Sequence, residues 1–141
     1  MTHIHIYFKD HQKEEALTLK AKLAQKFPSL ILGRFHEKPV GPHPVGSFLV
    51  FPKNEKDERA VKYFLKSKIG NLSAMIHPET GDDFEDHRDE NIEWIGPEFD
   101  INRDIFTQTI QAEQRTIESP NHRAKARQRK LRASNLNYKN Y

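Results

Sequence analysis

Residues His3 to Phe8, HIHIYF, alternate strictly, with Ile4, Ile6 and Phe8 set against His3, His5 and Tyr7. Period-two alternation marks a strand with unlike faces, here one apolar and one bearing imidazoles. From Gln12 to Phe27 the period changes to that of a helix, with Ala16, Leu19, Leu23, Ala24 and Phe27 on one stripe and Pro28 closing it. Leu30 to Phe35 reads as a second strand and Ser47 to Phe51 as a third, ended by Pro52. Ala60, Val61, Phe64 and Leu65 mark a second amphipathic helix over Glu55 to Lys68, before Gly70. Leu72 to His77 alternates again, Leu72, Ala74 and Ile76 on one side and Ser73, Met75 and His77 on the other.

The order strand, helix, strand, strand, helix, strand is the ferredoxin-like βαββαβ pattern of the α+β class, an antiparallel sheet with helices on one face. Right-handed crossovers give the spatial strand order 4-1-3-2. The first and fourth strands are then antiparallel neighbours. Their apolar sides lie under the helices, and His3, His5, Tyr7 and His77 share the opposite, open face. Pro78 to Gly96 has little periodicity and many carboxylates, and could fold back across that face. Ile105, Phe106, Ile110 and Ile117 suggest a further helix over 103–118, and residues 121–141 are polar and basic. The expected division is a body over 1–102 and a C-terminal extension, part helical, over 103–141.

Charge follows this division. Of the 141 residues, the first 102 carry 14 Lys and Arg against 17 Asp and Glu, and the remaining 39 carry 9 against 3. The basic balance therefore belongs to the extension, and contact with nucleic acid is expected, if anywhere, through it. There is no cysteine, which excludes disulfides and thiolate metal sites and permits a reducing, cytoplasmic setting. The opening residues MTHIHIYFKD lack the pattern of a signal peptide, and no apolar run reaches membrane-spanning length, so a soluble protein is expected.

Seven of the eight histidines precede residue 90, and His3-x-His5 places two imidazoles on one strand side, facing His77. Neutral imidazole is the commonest protein ligand for transition metals. His36 to Phe48, HEKPVGPHPVGSF, adds His36 and His43 within a stiff connection of three prolines. One geometric difficulty follows from the topology. Ser47 starts the third strand at the end of the sheet far from His77, so His43 and His36 lie on the order of 15 Å away unless the loop folds over the face or a partner chain completes the site. Asp86 and His87, in DDFEDH, could add a carboxylate and a further imidazole, as in a two-His-one-carboxylate iron site.

HIHIYF, GRFHEKPVGPHPVGSF (33–48), NLSAMIHPETGDDFEDH (71–87) and WIG (94–96), in this order, resemble the DOPA 4,5-dioxygenase family of small ferredoxin-like proteins. The resemblance implies a dimeric extradiol dioxygenase that opens a catechol ring with non-haem Fe(II) and O2. It implies His5, His43 and His77 as the best candidates for the metal site, with His3, His36 and His87 as nearby ligands or acid–base groups, so that which three bind the ion stays open; in such a mechanism His36 or His87 moves the catechol proton as a catalytic group, and Tyr7, Arg34 or His3 contacts the substrate. Phe64 stands where the family pattern has Trp, Lys68 where Arg is common, and the span from His87 to Trp94 is slightly longer than usual. Two rival readings stay open: a non-catalytic metal-binding or interaction protein on the same scaffold, and an RNA-binding module, which shares the element order but here lacks its stacking aromatics.

Overall fold

The structure is a computed structural model, and it describes residues 1–106. Strand β1 (Thr2–Phe8) leads through a short 3-10 turn into helix α1 (Lys13–Lys26); β2 (Ile31–Leu32) and β3 (Gly46–Phe51) follow, then α2 (Glu55–Lys68), β4 (Ser73–Pro78), a single-turn helix α3 (Asp83–Asp86) and β5 (Glu93–Ile95). The sheet runs β2-β3-β1-β4-β5, antiparallel throughout. This is the expected 4-1-3-2 arrangement with one strand added beyond β4.

Alternation decides which side chains meet. Ile4, Ile6 and Phe8 of β1, Phe48 and Val50 of β3, and Leu72, Ala74 and Ile76 on and before β4 pack against Ala16, Leu19 and Leu23 of α1 and Val61, Phe64 and Leu65 of α2. Both helices thus bury one stripe on one sheet face. α2 begins where the Asn54 side chain accepts from Asp57 N at 2.8 Å, with acidic residues in its first turn and Lys66 and Lys68 in its last, matching the helix dipole. Gly46 lies against the Phe8 ring, and a Cβ there would come within 2.6 Å of it.

β2 is shorter than the expected 30–35. Beyond Leu32, Gly33 N still donates to Leu49 O at 2.8 Å, and pairing resumes in one bridge between His36 and Ser47 that is shifted by one residue, so an extra residue bulges out of the ladder between them. Phe35 lies within this bulged stretch, and its ring stacks 4.4 Å from Phe8 and 6.0 Å from Phe48. The helix expected over 103–118 and the basic residues after it lie, from residue 107 onward, outside the described residues.

The other sheet face is not open. Tyr7, Met75 and Ile101 form a second small core with Val45, Ile92, Trp94 and Phe99. The segment after β4 and the Pro-rich connection close over this side. Among the described residues, no helix is long and apolar enough to cross a membrane.

Candidate metal centre

The pairing of β1 with β4 sets His3 directly opposite His77 and His5 opposite Met75. His5 and His77 are diagonal neighbours on the non-helical face, near enough for long side chains to meet. Their Nε2 atoms stand 3.0 Å apart and their rings are stacked. His3 completes the group, its ring 5.3 Å from His77 and 5.9 Å from His5. One nitrogen from each of His3, His5 and His77 lies within 4.8 Å of the other two.

The Pro-rich loop resolves the distance problem by folding over the sheet. Gly41 takes φ +55°, His43 N bonds to Val40 O at 3.0 Å, and Asn102 N ties down Pro42 O at 2.8 Å. His43 is thereby laid 4.2 Å from the His5 ring, its Nδ1 2.7 Å from the Tyr7 hydroxyl. From the other side, α3 starts at Asp82, whose carboxylate accepts from Glu85 N, and delivers His87 4.0 Å from His77 and 4.5 Å from Phe106. His87 Nδ1 donates to Asp83 O at 2.7 Å, and His77 Nδ1 to Pro78 O at 2.7 Å. Each of these rings keeps its lone pair on Nε2.

His3, His5, His43, His77 and His87 are all at most 5% exposed. Burial is the main cause that holds every one of them below its ordinary value of 6.5, with neighbouring imidazoles adding to it for His3, His5, His43 and His77, and Arg103 for His87. His3 is held at about 4, His43 at about 3, and His5 and His77 well down, while His87 is lowered less because Asp83 O and the Asp86 carboxylate favour its charged form. All are neutral near pH 7, the state in which imidazole ligates a metal. The donor set fits a first-row divalent cation. Two metal–nitrogen bonds of about 2.1 Å meeting near a right angle put their nitrogens about 3 Å apart, the separation of the His5 and His77 Nε2 atoms.

The remaining candidates are dispersed. His36 is half-buried at the base of the loop, its backbone bridged to Ser47. Arg34 is exposed and is not brought into the imidazole cluster. Asp86 is buried, but its two oxygens accept from Thr80 N and Thr80 Oγ1 at 2.8 and 2.6 Å. It converges with Glu79 and Asp83 and not with the histidines. Glu79 was not anticipated from the sequence. Its carboxylate is 3.4 Å from His3 Nδ1, and burial together with Asp83 and Asp86 pushes it up to about 7.

The fold and site define an α+β ferredoxin-like protein whose non-helical sheet face carries a buried cluster of imidazoles, three of which could hold a metal ion. Comparison with known families and structures makes the assignment narrower. Residues 2–105 match the Dopa 4,5-dioxygenase family, and the chain belongs to it. It is 36% identical over 108 residues to a DOPA 4,5-dioxygenase of Amanita muscaria (71% of this chain, 46% of that protein). It is 37% identical over 83 residues to an uncharacterized 21.2 kDa protein of Botryotinia fuckeliana (57% and 45%). The chain thus spans about half the length of the curated relatives it matches. A crystal structure of a "putative dioxygenase" from Nostoc punctiforme superposes with a TM-score of 0.68 at 32% identity, over 76% of this chain and 90% of that one.

Proposed function

We propose that this chain is an extradiol dioxygenase that binds Fe(II) through His3, His5 and His77 and opens a DOPA-like catechol ring with O2, inserting both oxygen atoms beside the diol. The observation that carries the reading is the convergence of three buried neutral imidazoles in a member of this family. When bound, Fe(II) would chelate the catechol, lower its phenolic pKa and bring it together with O2.

The chain's own groups do the rest. Burial keeps the three ligands deprotonated and the pocket dry, which strengthens every polar contact inside it. His87 has its Nδ1 proton committed to Asp83 O, so Nε2 is the nitrogen that takes a catechol proton beside His77. Tyr7 is fully buried and acts through His43, which it touches.

The test is anaerobic Fe(II) loading, elemental analysis, and oxygen uptake with a panel of catechols that includes DOPA. One iron per chain with oxygen consumption and a ring-opened product is expected; protein lacking both would overturn the reading. The closure of the cluster favours one alternative, a metal site without turnover, which would show iron and no oxygen uptake on any catechol. The RNA-binding reading has no sheet surface left to use, because that face carries the second core.

A further inference from the structure

Strand register sets a carboxylate against the imidazole group. His3 faces His77 across β1 and β4, and the ladder continues one step past β4, where Glu79 N donates to Met1 O at 2.8 Å. Alternation then puts Glu79 on the same sheet face as His77 and diagonal to His3, just as His77 is diagonal to His5. Both diagonals are closed: His5 and His77 meet through their Nε2 atoms at 3.0 Å, and Glu79 Oε2 lies 3.4 Å from His3 Nδ1. The Glu79 side chain is 11% exposed, so solvent screens this contact little. Glu79 converges with Asp83 and Asp86 and stands outside the group formed by His3, His5 and His77, one layer away from the candidate ligands.

A ligating imidazole gives one ring nitrogen to the metal and ordinarily has the other held by a carboxylate, a carbonyl or water, which fixes the ring and makes it a better ligand. His77 has that support at Nδ1 from Pro78 O. Glu79 sits at the Nδ1 side of His3, which leaves the fully buried Nε2 as the nitrogen for a cation. With a metal on Nε2 the proton of a neutral ring is on Nδ1, so in the loaded site His3 donates and the carboxylate accepts. Three neutral imidazoles bring no charge to offset a divalent ion taken out of water, and a carboxylate one ring away supplies it. Asp86 is less suited, since both its oxygens are engaged by Thr80.

We propose that Glu79 is a positioning residue of the metal centre, its carboxylate holding the His3 ring at Nδ1 and offsetting part of the cation's charge. This rests on the ligation by His3, His5 and His77 proposed above and is independent of the catechol chemistry.

The test is anaerobic titration of the full chain with Fe(II) and with Co(II), whose visible absorption reports its ligand set, in competition with a metallochromic chelator. Wild type, Glu79→Gln, Glu79→Asp and Glu85→Gln are compared, each first checked for a cooperative melt. Glu79→Gln is expected to bind one Co(II) per chain with the wild-type absorption envelope, but about tenfold to a hundredfold more weakly. Glu79→Asp, which keeps the charge and retracts it by one methylene, should lie between the two. Glu85→Gln removes the same charge from an exposed carboxylate paired with Arg88 and should stay within about threefold of wild type. Wild-type affinity in Glu79→Gln, or an equal loss in Glu85→Gln, would overturn the proposal. So would a changed absorption envelope or a lost stoichiometry in Glu79→Gln, which would make Glu79 a ligand itself. Wild-type protein that binds neither cation would instead sink the three-imidazole centre, and this proposal with it.

Discussion

At the scale of residues, the cluster is costly to protonate, and that has a consequence for stability. Unfolded histidine takes up a proton near 6.5, whereas folded His3 and His43 do so only near 4 and 3, and His5 and His77 also lie well down. Between those values the unfolded chain binds more protons than the folded one, so folding stability is intact above 6.5 and is lost as pH falls toward 4 and 3. Glu79 works the other way: held near 7 against an ordinary 4.5, it contributes stability below 4.5 that is lost as pH rises to 7. Four strongly lowered imidazoles outweigh one raised carboxyl. Metal-free protein should therefore show a lower urea midpoint at pH 5 than at pH 7.5, and an equal or higher midpoint at pH 5 would contradict this balance. On the proposed ligation, His77→Ala should reduce iron affinity by about a hundredfold or more, since it removes one of the three proposed ligands, whose Nδ1 proton is already fixed by Pro78 O, and competition with a metallochromic chelator would measure it. Much of this site was legible in the chain, because H-x-H on an alternating strand dictates one shared face and the topology dictates His77 as its neighbour. The role of Glu79 was not, since nothing in HPETG reveals that the chain turns after Pro78 to bring that carboxylate back on His3.

At the scale of elements, the legible parts were those with a sustained period. α2 was readable over its full length because Val61, Phe64 and Leu65 repeat at helical spacing between Asn54 and Gly70. β5 was not read, because three residues give too short a pattern: Trp94 turns to the second core while Ile95 joins the main one, and each looks isolated in the sequence. The reach of the loop over the sheet was equally hidden, since the bond from Asn102 N to Pro42 O joins segments sixty residues apart. Two substitutions test these elements. Asn54→Ala removes the acceptor that caps α2 and should cost about 1 kcal/mol in chemical denaturation, without altering iron binding. Gly46→Ala sets a methyl group into the Phe8 ring and should cost about 1–3 kcal/mol as that ring is displaced from Phe35. A melt indistinguishable from wild type would mean that Phe8 is free to move aside.

At the scale of the whole molecule, charge and site are separated along the chain. Every residue assigned here to the metal centre lies within 1–106, where Asp and Glu exceed Lys and Arg by three, while residues 107–141 carry eight Lys and Arg against two Glu. Fields from such a segment are long-ranged at low salt and screened beyond about 10 Å at 0.1 M, so they govern what the molecule adheres to more than how the body folds. A chain truncated after residue 106 should pass from net basic to net acidic and lose retention on heparin or single-stranded RNA columns at low salt. Its iron stoichiometry should stay that of the full chain, because the proposed ligands His3, His5 and His77 all lie among the residues it keeps. If the truncated chain instead lost its iron, residues beyond 106 would have to contribute to the centre, and the closure over the imidazoles by the loop, α3 and Phe106 would be only part of the wall that shields the cation.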